Sequence, residues 1–334
     1  MSRCFLVTLL SFIFTLAGAT TPACPEGANA PIHEHAFVPI RGIEQWVTID
    51  GEHCGNPVIL FVHGGPGNPL SPFADALFGD WQKDFTLVQW DQRGAGRTYT
   101  RNNPHEDLTV RGMADDGVAV AEHVLTRLGK SKLILWGSSW GTVLALNMAA
   151  SRSDLFHAYM GVSHMVGQRQ NEAASFAATL TLARAANDRD ALAALESMGP
   201  PPWTNPRHLG ALRRVTRKYE AMVSDAAPKQ WWQAEQGPDF DESEAYAWLQ
   251  FVGMHGDGMF RTVDMERDVQ RLDLPVFIVQ GEADLVTHPA VTRRWFDALN
   301  APEKQFTVVA RAGHDPNLPM LEAQWLLLKS RRWE

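Results

Sequence analysis

The chain has 334 residues, 45% hydrophobic and 20% charged, with 38 acidic against 30 basic side chains and a net charge of −8. This composition supports a sizeable buried core and argues against disorder. The acidic balance, with no basic cluster longer than the short one from Lys329 to Arg332, excludes a nucleic-acid partner.

At the N-terminus, Arg3 precedes an apolar run of residues 5–16, and Ala17, Gly18 and Ala19 follow. This is the pattern of a secretory signal peptide cleaved after Ala19, so residues 1–19 are assigned to it. The run is too short for a stable membrane span, which needs about 20 apolar residues. A secreted or periplasmic location follows as the expectation. Cys4 leaves with the leader, and the even pair Cys24 and Cys54 is expected to form a disulfide in an oxidising compartment. A lipid anchor at Cys24 is the rival reading, but Thr21 and Pro22 fit a lipoprotein cleavage site poorly. Residues 20–31 are rich in Pro, Ala and Gly, and residues 20–42 are read as an irregular N-terminal segment. Within them His33-Glu34-His35 could suggest metal ligands, but no second ligand pair is in view and no metal is expected.

Further along, residues 45–49, 58–62, 85–90, 133–136, 158–162, 276–279 and 306–309 read as strands. Most are apolar on both faces, as in a parallel sheet covered by helices. Helical patterns at 110–128, 142–150, 290–299 and 321–329 alternate with them, which predicts an α/β chain with a doubly wound, mostly parallel sheet. The core is expected over residues 43–162 and 273–334. Between them, residues 163–272 carry helical patterns at 172–186, 191–198 and 245–252 and no clear strand, which reads as a helical cap.

Gly137-Ser138-Ser139-Trp140-Gly141 directly follows one predicted strand and opens a helix. A serine on a strand-to-helix turn needs small residues two before and two after it. That requirement selects Ser139, flanked by Gly137 and Gly141, over Ser138, flanked by Trp136 and Trp140. His63-Gly64-Gly65-Pro66-Gly67 follows an earlier strand. Glycine lets backbone approach a substrate, so Gly64 or Gly65, with the N–H of Trp140, is expected to form an oxyanion hole. A serine needs a base oriented by an acid. In the order serine, acid, histidine, the loops after the late strands offer Asp284, with Glu282 as the alternative acid, and then His314. His63 is read as bracing its loop, and His157, His164 and His288 as structural.

With His63 to Gly67, Asp91-Gln92-Arg93-Gly94-Ala95-Gly96, the serine turn and Gly313-His314 in view, the sequence from residue 43 onward resembles α/β-hydrolases of the proline iminopeptidase type. The resemblance implies an α/β-hydrolase fold, a Ser139, Asp284 and His314 triad, and no cofactor. It also implies a helical cap that shapes a pocket for short peptides with a free N-terminal residue, often proline. The Asp91 turn reads as structural. Such enzymes bind the substrate amine with cap glutamates, one typically in Trp-x-x-Trp-Glu, a spacing that Gln230-Trp231-Trp232-Gln233-Ala234-Glu235 does not reproduce. Glu235 and Glu172 are the candidates for that role, and Trp231 and Trp232 for lining the pocket. Two alternatives to aminopeptidase action stand. One is an esterase or amidase of small acyl substrates without a free-amine requirement; the other is an inactive binding protein on the same fold.

Overall fold

A computed structural model describes Cys24 and residues 29–102, 107–205, 207–234, 240–252 and 262–333. The expected signal peptide lies outside the described residues. Eight strands form one sheet: β1 (Ile32–Ile40), β2 (Ile43–Gly51), β3 (Val58–Val62), β4 (Thr86–Trp90), β5 (Leu133–Ser138), β6 (Phe156–Val162), β7 (Val276–Gly281) and β8 (Lys304–Val309). Their order is β1-β2-β4-β3-β5-β6-β7-β8. β1 and β2 pair antiparallel with each other, as do β2 and β4, and every later pairing is parallel. β3, β4, β5 and β7 are buried along almost their whole length, which explains why they are mostly apolar on both faces.

The α-helices that precede the cap are α1 (Ala74–Phe78), α2 (Gly96–Asn102), α3 (Val110–Leu128) and α4 (Trp140–Ser151). Thr109 caps α3 by accepting from the Gly112 N–H, and Gly129 ends it in a left-handed conformation. α4 is buried on nearly every side, so it carries no amphipathic stripe.

Residues 20–42 are not irregular throughout: β1 occupies Ile32–Ile40. Ile32, Val38 and Ile40 are buried while the charged positions face out, and Pro39 is tolerated because β1 is an edge strand. Glu34 turns to Arg127 (2.6 Å), whereas His33 and His35 both donate to Asp50 (3.2 and 2.9 Å). Among the described residues no group of three or more His, Cys, Asp or Glu is placed to hold a metal. Cys24 and Cys54 are joined by a disulfide with Cα atoms 5.7 Å apart.

Between β6 and β7 the chain builds a layer of helices: α5 (Gln168–Ala185), α6 (Arg189–Met198), α7 (Arg207–Val223), α8 (Phe240–Phe251) and the short α9 (Met265–Asp268). α5, α6 and α7 pack on one another around Phe176, Leu195, Leu212 and Tyr219. Two helices, α10 (Pro289–Ala298) and α11 (Leu318–Lys329), complete the fold. Among the described residues, no helix is long and apolar enough to cross a membrane.

Candidate active site

The site is built where β5 stops. Ser139 follows the strand with φ 51° and ψ −123°, a conformation a non-glycine residue holds only when its surroundings enforce it. Its N–H is tied to the Val162 carbonyl (3.0 Å), and α4 begins at Trp140. Gly141 explains the small-residue requirement: a Cβ there would stand 2.0 Å from the Val62 carbonyl oxygen. The first turn of α4 therefore lies directly against the end of β3, and its free N–H groups open on the Ser139 side.

Asp284 and His314 come from the loops after β7 and β8. His314 Nε2 lies 3.0 Å from Ser139 Oγ, and its Nδ1 lies 3.2 and 3.1 Å from the two Asp284 carboxylate oxygens. Asp284 is fully buried. It accepts from the N–H groups of Val286 (2.9 Å) and Thr287 (2.7 Å), from Gln280 Nε2 (2.7 Å) and from the Thr287 hydroxyl (2.7 Å). These bonds fix the carboxylate and so the imidazole tautomer, with the proton on Nδ1 and Nε2 free to accept from the serine. Burial opposes protonation of His314. The Asp284 carboxylate outweighs it, aided by Asp315 and Glu220, and holds the imidazole above its ordinary pKa. Glu282, the other sequence candidate for the acid, donates its backbone N–H to the Val309 carbonyl.

The glycine loop after β3 closes the other side. Gly64 and Gly65 line a cleft together with Ser139. Gly65 has φ +112°, in the region only glycine enters without strain. His63 braces this loop: Nδ1 donates to the Gly64 carbonyl (2.9 Å), and Nε2 accepts from the Gln92 N–H (3.2 Å). Burial drives its pKa down to about 4, so it is neutral and suited to that double role. Asp91 is buried in the turn it shapes, accepting from Ser71 Oγ (2.6 Å) and the Arg97 N–H (2.9 Å). His164 is fully buried and stacked on Trp295 at 4.6 Å.

The cleft at Ser139 has two parts. A narrow one, about 20 Å3, runs past Trp140 and Gly65 to Glu172, Leu209, Leu212 and Phe251. A wider one, about 150 Å3, lies on the His314 side against Trp232, Glu220 and Arg217. A larger cavity of about 480 Å3 sits elsewhere, beside Trp46, Gln89 and Asp91, and none of Ser139, Asp284 or His314 reaches it.

Glu172 is only 3% exposed and faces the narrow part, so it is no solvated surface charge. Among the described residues its carboxylate has one hydrogen bond, a long one from Gln168 (3.4 Å), and burial pushes its pKa up to about 7. Glu235 lies outside the described residues. The two tryptophans part company: Trp232 lines the wider cleft and meets Phe73 edge-on at 5.2 Å. Trp231 is buried in the apolar cluster with Phe73 and Leu77, because successive residues of a tight turn point to different sides. Sequence reasoning missed α7, which brings Arg213, Arg217 and Glu220 to the cleft at one- and two-turn spacing. Glu220 accepts from the Leu285 N–H (2.5 Å); burial, then the Asp284 charge, pushes its pKa up to about 7.

A family model for the alpha/beta hydrolase fold matches residues 57–319. The chain belongs to that family. This hydrolase is 26% identical over 308 residues to a probable aminopeptidase of Bacillus subtilis (strain 168), covering 87% of this chain and 94% of the relative. It is 28% identical over 293 residues to a probable proline iminopeptidase of Streptomyces coelicolor, covering 80% and 87%. Among solved structures, a proline iminopeptidase-related protein from Thermus thermophilus superposes with a TM-score of 0.59 at 21% identity, covering 90% of the hydrolase and 98% of that chain, a likeness of fold.

Proposed function

We propose that the protein is a serine aminopeptidase that removes the N-terminal residue from short peptides, with proline as the first candidate. Ser139 Oγ attacks the scissile carbonyl while His314 Nε2 takes its proton, and Asp284 stabilises the imidazolium. The oxyanion is held between the Trp140 N–H and that of Gly65 or its neighbour Gly64, each donor contributing about 3–4 kcal/mol in comparable sites. Collapse breaks the C–N bond, and His314 returns the proton to the leaving amine. Water, deprotonated by the same imidazole, then cleaves the acyl ester and frees Ser139.

The observation that carries the peptide reading is Glu172: a buried carboxylate, sparsely hydrogen-bonded, in the same narrow cleft as Ser139. A substrate ammonium there would gain a charge-assisted bond and restore the carboxylate's ionisation. The names of the two full-length relatives agree with it. The apolar wall of Leu209, Leu212 and Phe251 favours the second reading, an esterase or amidase that accepts a plain acyl group. Prolyl anilide against N-acetylprolyl anilide separates them. The aminopeptidase cleaves the first at least tenfold faster, a charge-assisted bond being worth about 1.5–3 kcal/mol; equal turnover assigns the esterase.

The hydrolase is also proposed to act outside the cytoplasm. The leader pattern supports this, as does a disulfide that occupies the Cys24 thiol a lipid anchor would need. Cell fractionation with N-terminal sequencing tests it: the reading requires a mature chain beginning at Thr20.

A further inference from the structure

The cleft carries two arginines that the steps of peptide-bond hydrolysis leave without a task. α7 presents Arg213 and Arg217, one turn apart, to the wider part of the cleft, and like charges at that spacing oppose each other on a helix. Arg213 also lines the narrow part beside Glu172 and a shallow third opening beside Gly65 and Trp248. Its guanidinium lies 5.2 Å from the centre of the Trp248 ring, and its Nε is shut off from solvent without a hydrogen-bond partner. Among the described residues, neither arginine forms an ion pair, although Glu172, Glu220 and Asp315 line the same cleft. Glu220 is committed to the Leu285 N–H.

Arg213 is half-buried, and Asp315, Asp284 and Glu172 act on it through space; none of them pairs with it, so its donors stand open to an incoming anion. Its flat fork of donors matches a carboxylate in two-point contact. The pair stands on the His314 side of Ser139, where the leaving group must sit to receive the proton from Nε2. If Glu172 holds the amine, the leaving half of a peptide has one obligatory anion, its C-terminal carboxylate. Each added residue carries that group up to about 3.3–3.6 Å further away, so only a short peptide places it in reach.

We infer that Arg213, with Arg217, forms a carboxylate subsite beside Ser139 and that the preferred substrates are dipeptides with a free C-terminus. This rests on the aminopeptidase reading and narrows it to a substrate class. The test compares kcat/KM for prolyl-alanine, prolyl-alaninamide and N-acetylprolyl-alanine in the wild type, Arg213→Met, Arg213→Lys and Arg217→Met. The acid is expected to exceed the amide by about ten- to hundredfold, the range for a hydrogen bond to a charged group. In Arg213→Met that ratio falls to near one, in Arg213→Lys it recovers in part, and in the more exposed Arg217→Met it falls less far. An acid-to-amide ratio near one in the wild type, or one that none of the substitutions alters, overturns the inference. If Arg213→Met does not fold, the lysine variant and Arg217→Met still decide. Cleavage of free-amine substrates without an acid preference overturns only this inference. Turnover of the N-acylated substrate equal to or above that of the free amine overturns the aminopeptidase reading, and this inference with it.

Discussion

Gly141→Ala tests how the nucleophile is held. The added Cβ would meet the Val62 carbonyl oxygen at 2.0 Å and the His63 carbonyl oxygen at 2.5 Å. Both obstacles are backbone of the segment that runs from β3 into the glycine loop, and no side chain can swing aside. α4 and β3 must part by about 1.4 Å to bring the 2.0 Å approach out to ordinary contact at 3.4 Å, an overpacking that costs about 3 kcal/mol. The same displacement moves the Trp140 N–H away from Gly64 and Gly65, and a misplacement of about 1 Å lowers turnover by about 100-fold. Urea denaturation and the second-order rate of labelling by a fluorophosphonate read the two effects separately. Gly210→Ala is the counterpart. It lies within α7, where the nearest atom to a new Cβ is Arg214 Nη1 at 3.9 Å, so it should stabilise by about 0.4–1 kcal/mol. A Gly141→Ala protein as stable as the wild type and labelled at the same rate would refute the argument.

Asp284→Asn frees the imidazole to take the wrong tautomer, and kcat should fall by about 10^4 with little change in KM; a loss under tenfold contradicts the assigned role. Burial holds His164 near pKa 3 in the folded state, against an ordinary 6.5, so the unfolded chain binds the extra proton between those values. Its contribution is therefore intact above about pH 6.5 and lost as pH falls toward 3. Below pH 6, wild type should lose stability relative to His164→Phe by about 1.4 kcal/mol per pH unit, and parallel stability curves would exclude this. Glu172, with its pKa raised to about 7, must be ionised to hold an amine; KM for prolyl anilide should rise as pH drops below 7, and Glu172→Gln should abolish that dependence. Opening the Cys24–Cys54 bridge, whose partners are 30 residues apart, should cost about 3–4 kcal/mol on the chain-entropy account, measured by denaturation with and without reductant.

What could be read from the sequence was what short-range chemistry dictates. The serine turn is legible because its backbone admits only small residues at Gly137 and Gly141. Asp284 and His314 are legible because each follows an apolar strand whose end faces the same rim. β1 was missed because Pro31 directly precedes it and Pro39 lies within it, which only an edge strand tolerates. α7 was missed for another reason. Its apolar stripe of Leu209, Leu212 and Tyr219 is diluted by Arg213, Thr216 and Glu220, which turn inward to the cleft rather than outward to water. A helix that serves a site breaks the simple pattern of apolar inside and polar outside, and that break is where the cleft's charges lie. The direction of Glu172 and the parting of Trp231 from Trp232 depend on packing between distant elements, which local spacing does not encode.

The central claim is that His314 and Asp284 make one ordinary alcohol, Ser139 Oγ, reactive. Treatment of the folded protein with a fluorophosphonate, followed by peptide mapping, tests it most directly. The account predicts one adduct, on Ser139, absent from His314→Ala. A folded protein that takes no label, or an adduct on Ser138, contradicts it.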